Sequence, residues 1–126
     1  MEPEEFEAWV LGRLRKLGYL TNRTPRSWDA GADGLAQAPP GSGLPNLLIQ
    51  CKHTQGRAAL GLDAVSELLR AKSAYAMGDN CRLLVVTNAQ HFSASAQRAA
   101  TEGKVLLFTV RHLEHFELLR QHLLAS

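Results

Sequence analysis

Leu47-Leu48-Ile49-Gln50-Cys51-Lys52 is a strand-like run that ends in an amide, a thiol and an amine. Before it, across the turn-rich stretch Pro39-Pro40-Gly41-Ser42-Gly43-Leu44-Pro45, stands Trp28-Asp29-Ala30-Gly31-Ala32-Asp33-Gly34-Leu35-Ala36-Gln37. Two such runs joined by Pro, Gly and Ser predict a β-hairpin. Side chains alternate faces along a strand, so Leu48, Gln50 and Lys52 share one side while Leu47, Ile49 and Cys51 share the other. In the paired hairpin Asp33 comes beside Gln50 and Lys52. An acid, an amide carbonyl and an amine on one face can hold a divalent cation and a water. Each also has a plainer use: Asp33 as a turn residue, Lys52 as a solvated charge at a strand end.

Towards the N-terminus, Pro3 to Leu17 reads as an amphipathic helix, with Pro3 in the first turn and Gly18 ending it. Phe6, Trp9, Val10, Leu14 and Leu17 recur at helical spacing and form the buried stripe. Of the nearby glutamates, Glu7 alone has apolar residues at the three-, four- and seven-residue offsets, namely Val10, Leu11 and Leu14. Those offsets share a helix face, so Glu7 is the acid drawn inward, where a carboxylate needs a partner or a metal. The alternative places it at the edge of the stripe, reaching water. Tyr19 to Arg23 is a short strand-like run, followed by turn chemistry through Thr24, Pro25, Arg26 and Ser27.

Towards the C-terminus, His53 to Leu60 reads as a polar connection that carries His53 and Arg57. Leu62 to Met77 is a predicted helix, with Leu62, Val65, Leu68, Leu69 and Tyr75 facing inward. Arg82 to Thr87 is nearly continuously apolar, as in a central strand covered on both faces. Ser93 is an N-cap for a short helix that Gly103 stops. Val105 to Val110 is a further strand, and Glu114 to Leu124 a closing Leu-bearing helix. His112, His115 and His122 lack a Cys or carboxylate at tetrahedral spacing and read as solvated helix histidines.

Six pieces carry a family resemblance. They are Phe6-Glu7, Leu17-Gly18-Tyr19, Asp29 to Gly34, Ile49 to Lys52, Val85-Val86-Thr87-Asn88, and His91 to Ala96. In this order and spacing the chain resembles the Mrr-like branch of the PD-(D/E)XK nuclease superfamily, whose fold is that of restriction endonucleases. Many superfamily members carry Glu where Gln50 stands, whereas the Mrr-like branch typically uses Gln.

The resemblance implies an α/β fold with a restriction-endonuclease-like core: a mixed central β-sheet flanked by α-helices. It implies a metal-dependent endonuclease that hydrolyses DNA phosphodiester bonds, of restriction or DNA-processing type. Asp33, Gln50 through its side-chain oxygen and Cys51 through its backbone carbonyl are the implied ligands of Mg²⁺ or Mn²⁺, hard cations that favour oxygen. Lys52 would hold the nucleophilic water or offset the developing charge. Glu7 would orient water or reach a second cation. Asp29 serves a turn or the periphery of the site; His53 and Arg57 could touch a phosphate, although a solvated loop is the first account of both. A lone site cuts one strand, so double-strand cleavage requires a homodimer or two visits. Sequence specificity would come from loops, a dimer or a separate DNA-recognition partner, or be absent. A Holliday-junction-resolvase-like enzyme and a catalytically weak DNA-binding module of the same fold are the alternatives, with a protein-interaction scaffold behind them.

Bulk properties agree with an ordinary globular chain. At 126 residues, 45% hydrophobic and 21% charged, it reads as one domain over residues 1–126. A net charge of +2 permits nucleic-acid binding without arguing for it. Cys51 and Cys81 make no metal-ligand spacing and read as reduced, buried thiols. With no signal peptide and no membrane-length apolar run, a soluble cytoplasmic protein is expected.

Overall fold

The computed structural model describes residues 2–24, 32–55, 59–75 and 80–126. Helix α1 (Pro3–Lys16) is followed by strands β1 (Leu20–Arg23), β2 (Gly34–Gln37), β3 (Asn46–Lys52) and β4 (Ala59–Leu60), then helix α2 (Asp63–Tyr75). Strands β5 (Cys81–Thr87) and β6 (His91–Phe92), helix α3 (Ala94–Gly103), strand β7 (Val105–Thr109) and helices α4 (Val110–Glu114) and α5 (Phe116–Ala125) complete it. Five strands form one sheet in the order β1-β2-β3-β5-β7, and β4 pairs with β6 in a separate ribbon.

The sheet is mixed. β1, β2 and β3 are antiparallel neighbours, whereas β3, β5 and β7 run parallel. The expected hairpin is β2–β3, in register Gly34 to Ile49 and Ala36 to Leu47. Alternation along β3 and β5 divides the core into two layers. Leu47, Ile49, Leu84 and Val86 pack with Phe6, Val10 and Leu14 of α1, Leu113 of α4 and Leu119 and Leu123 of α5. Leu48, Leu83 and Val85 pack with Val65 and Leu68 of α2 and Ala96 and Ala100 of α3. β5 is therefore covered on both faces, as its apolar run predicts. The molecule is an α/β sandwich with helices on either side of the sheet.

Gly34 sets how closely α1 lies on the sheet. A Cβ there would stand 3.1 Å from Leu11 Cδ2 and 3.4 Å from the Asn22 carbonyl oxygen. Glu7 lies one turn before Leu11 on the same helix face. The seating of Leu11 against Gly34 thus brings the Glu7 carboxyl to the start of β2.

Several local expectations are corrected. The segment from His53 to Leu60 is not wholly a connection, because Ala59 and Leu60 form β4 and pair with His91 and Phe92. Leu62 precedes α2 and is 42% exposed, so it does not join the core. Gly103 is the last residue of α3, and Lys104 takes the left-handed conformation at φ 58°. Val110 opens the separate helix α4 rather than ending β7, and the closing helix starts at Phe116, after extended His115, with Glu114 belonging to α4. Leu44 and Pro45 are buried, and the Pro45 carbonyl accepts a 2.7 Å hydrogen bond from Tyr19 Oη. The Tyr75 side chain and residues 76–79 lie outside the description. The Ser93 cap is present, its Oγ accepting from the Ala96 N–H at 3.1 Å.

Candidate active site

The C-terminal end of β3 gathers the polar groups. Gln50 follows three buried residues on this strand and is itself only 3% exposed. The antiparallel register places Asp33, just before β2, across from it, and the Asp33 N–H donates to the Ile49 carbonyl at 2.7 Å. Thr24 fixes the backbone from the other side: its N–H donates to the Asp33 carbonyl at 3.1 Å and its hydroxyl to the Ala32 carbonyl. The Asp33 carboxyl is thereby aimed at the end of β3, where Oδ2 accepts the Cys51 N–H at 2.7 Å.

Glu7 reaches the same carboxyl. Glu7 is near enough to lower the Asp33 pKa through a side-chain interaction. Burial pushes the Asp33 carboxyl above its ordinary value, while the Cys51 N–H, Glu7 and the Lys52 charge pull it down and the Glu67 charge adds to the rise. Burial likewise pushes the Cys51 thiol up, reinforced by the charges of Asp33 and Glu7. Cys51 and Cys81 are free thiols, half-buried rather than fully buried.

On the Gln50 face the decisive neighbour is Glu67, a residue of α2. Its Oε2 accepts from Gln50 Nε2 at 2.6 Å and from Lys52 Nζ at 2.8 Å. The hydrogen bond from Lys52 holds the Glu67 carboxyl below the ordinary range, against the opposing effect of burial. The other end of the amide is different. Gln50 Oε1 is buried and has no hydrogen-bond partner among the described residues. An unpaired buried carbonyl oxygen is costly to the fold, by about 1–3 kcal/mol.

Sequence reasoning missed Glu67, although a weak signal existed. Ala64 and Ala71 lie three residues before and four residues after it and are buried, so Glu67 shares the edge of the sheet-facing stripe of α2. Small alanines mark such a stripe less clearly than the large residues flanking Glu7.

Glu7, Asp33, Gln50, Cys51 and Lys52 are therefore brought together. His53 is next to them but packs its ring on Phe6 at 5.8 Å between centroids. Asp29 and Arg57 lie outside the described residues. Beyond Lys52 the chain is tied to the end of β5, where Thr54 N–H donates to Asn88 Oδ1 at 2.7 Å and Asn88 Nδ2 to the Thr54 carbonyl at 2.9 Å. Among the described residues, no three His, Cys, Asp or Glu side chains gather as a metal-holding group. His112 is not the solvated residue its helix position suggests. It is half-buried, its Nδ1 accepts the Thr109 N–H at 3.0 Å, and its ring stacks on Phe108 at 4.9 Å. Burial, then the neighbouring His122, lowers the His112 pKa. A cavity of about 890 Å³ opens beside His91, His112 and His122, and none of the β3-end residues lines it. No described helix is long and apolar enough to cross a membrane.

The raised Asp33 pKa makes a prediction for the metal-free protein. Because folding lifts this group above its ordinary 3.8, the folded chain binds more protons than the unfolded chain between that value and the lifted one. The associated stability is full below the unfolded pKa and is lost as pH rises through the folded one. Asp33→Asn keeps an acceptor for Cys51 and can donate to Glu7. In EDTA at neutral pH it is expected to stabilise the fold by on the order of 1 kcal/mol and to flatten this pH dependence. Urea melts at pH 4 and 7.5 check both; a variant less stable than the parent at pH 7.5 would contradict the assignment.

Comparison with known proteins bears on the family and the fold. The restriction endonuclease family model Mrr_cat matches residues 1–116. No curated protein matches the chain. Among solved structures, a protein of unknown function is similar at TM-score 0.63 and 17% identity, over 82% of this chain and 56% of that one. A repair endonuclease from Pyrococcus abyssi is similar at TM-score 0.59 and 19% identity, over 86% of this chain and 46% of that one. The MspJI restriction endonuclease, solved with a 27-mer oligonucleotide, is similar at TM-score 0.53 and 18% identity, over 98% of this chain and 28% of that one. At such identities the likeness establishes the fold, and the chain spans 28% to 56% of the length of these three proteins. The family model runs from α1 through the last strand of the sheet, and on that match the chain belongs to the Mrr_cat restriction endonuclease family of the PD-(D/E)XK-like superfamily.

Proposed function

We propose that residues 1–126 act as one DNA-binding domain whose site hydrolyses phosphodiester bonds slowly, using Mg²⁺ or Mn²⁺. The observation that carries this reading is the buried Gln50 Oε1, unpartnered among the described residues, on the residue that lies across the strand register from Asp33. A carbonyl oxygen, a carboxylate and the Cys51 backbone carbonyl form a hard oxygen set, which fits a small divalent cation. When bound, such a cation acidifies water and neutralises charge on the phosphate.

The chain's own groups do the rest. Asp33 is held by the Cys51 N–H, so its second oxygen faces the site in a fixed direction. Glu7, which interacts with the Asp33 side chain, orients a water at the site. Lys52 holds a water or the developing phosphate charge from the end of β3.

Slow turnover follows from charge. Gln50 contributes no negative charge where many relatives of the fold carry Glu, and Lys52 is engaged by Glu67 at 2.8 Å. At an effective dielectric near 20, one missing charge about 4 Å away weakens cation binding by up to roughly 4 kcal/mol before desolvation offsets part of it. The same observations, together with the absence of a gathered carboxylate or histidine trio among the described residues, favour a second reading: DNA binding without useful turnover. A resolvase-like enzyme would use this site twice in a homodimer. A separate recognition partner would supply sequence choice.

Supercoiled plasmid incubated with Mg²⁺, Mn²⁺ or EDTA tests the reading. Nicking in Mn²⁺ or Mg²⁺, none in EDTA and none by Asp33→Asn is the expected result. Retained, steeply salt-dependent DNA binding with no nicking by any form would leave the second reading standing. Nicking that survives Asp33→Asn would place the chemistry elsewhere.

A further inference from the structure

We propose that Glu67 is a positioning residue for this site: it fixes which end of the Gln50 amide is presented as a ligand, and it offsets the charge of the neighbouring Lys52. The inference rests on the hydrolytic reading above and goes beyond it in adding a residue from α2.

An amide has a donor end and an acceptor end of nearly equal size, so nothing in its shape decides which way it lies. Glu67 decides it chemically. Its carboxylate only accepts, and it takes the Gln50 Nε2–H at 2.6 Å. The reversed amide would set a carbonyl oxygen against a carboxylate oxygen, and would turn an NH₂ group towards any cation near Asp33. With Nε2 engaged, Oε1 is the end that points away from α2, and it is buried without a partner among the described residues.

The same Glu67 oxygen takes Lys52 Nζ at 2.8 Å. A free ammonium two residues along the same strand face would repel a divalent cation at Gln50. Paired with Glu67 it repels less, and it is held at a defined place near the end of β3. One oxygen thus orients the neutral ligand and offsets the adjacent cation. α2 carries this group rigidly, because Ala64, Val65, Leu68 and Ala71 on the flanking positions are buried against the sheet.

The test combines calorimetric titration with MnCl₂ in the absence of DNA and ¹⁵N-edited NMR of the Gln50 side-chain NH₂. Glu67→Gln retains size and is about one-third exposed, so its thermal melt should stay close to the parent's. Mn²⁺ affinity is expected to fall about 10–100-fold, as when a group that orients a metal ligand is removed. The Gln50 NH₂ resonances of the metal-free protein should shift, having lost a charged acceptor. The exchange Gln50→Glu with Glu67→Gln should recover the affinity to within a few-fold of the parent, or exceed it. In that protein the amide at position 67 donates to the carboxylate at position 50, restoring the hydrogen bond with reversed polarity.

Parent-like Mn²⁺ binding by Glu67→Gln, unchanged Gln50 NH₂ resonances, or an exchange variant as weak as Glu67→Gln alone would each overturn the positioning role while leaving the hydrolytic reading intact. A parent protein that takes up no Mn²⁺ and nicks no plasmid would remove the reading itself, and this inference with it.

Discussion

Lys52→Ala is expected to slow Mn²⁺-dependent plasmid nicking by about 10²–10³-fold, the usual cost of removing one group aimed at charge that develops in the transition state. The lysine stands at the end of β3 with its ammonium at the Glu67 carboxylate, two residues from buried Gln50 on the same face. Its removal deletes one positive charge from a partly exposed position. DNA affinity should therefore change only a few-fold, as for one phosphate contact among several, and the salt slope by about one. The loss belongs in the single-turnover rate and not in binding. Stability should be nearly unchanged, since Glu67 keeps its bond from Gln50 and can be solvated. Rate and affinity falling together by the same factor would show that Lys52 is only a DNA contact. Lys52→Arg retains charge but not the compact ammonium, and should recover only part of the rate.

Leu68→Ala should have the largest effect on folding among substitutions near the site, at about 2–5 kcal/mol. Leu68 is fully buried on α2 and belongs to the layer that holds this helix against Leu48, Leu83 and Val85. The close packing around it leaves little room for collapse into the vacated space. Leu118→Ala is the matching control, because Leu118 is 48% exposed and should change stability by no more than about 0.5 kcal/mol. Urea denaturation midpoints at constant slope separate the two. Equal losses in both variants would mean that α2 is not anchored through Leu68. Below its melting point, Leu68→Ala should also loosen the carrier of Glu67, so its Mn²⁺ affinity should fall before its secondary structure does.

Much of this architecture is legible in the chain. Strict alternation from Leu47 to Lys52 separates the two core layers correctly, because a strand face admits no other assignment once the hairpin is accepted. Glu7 is legible for a similar reason, since large apolar residues at helical offsets pin its face. Glu67 is not: its stripe is drawn in alanines, and its partners are seventeen and fifteen residues away on another element. The β4–β6 ribbon is also hidden, because two residues on each side carry no periodicity and are made a strand only by their partner. His112 looks solvated by position, yet the tight turn from β7 into α4 folds its ring back onto Thr109 and Phe108. Such contacts depend on where two elements meet, and a local pattern does not hold that information.

The missing side chain at position 34 makes the site sensitive to a dimension rather than to a functional group. A valine there would bear on Leu11 and the Asn22 carbonyl, both within 3.4 Å of the first added carbon. The helix would ride outward like a wedge lifted from its seat, carrying Glu7 with it. A protein altered in this way would retain every acid, amide and amine of the site and still hold them out of register, its fault being a gap of a few tenths of an ångström.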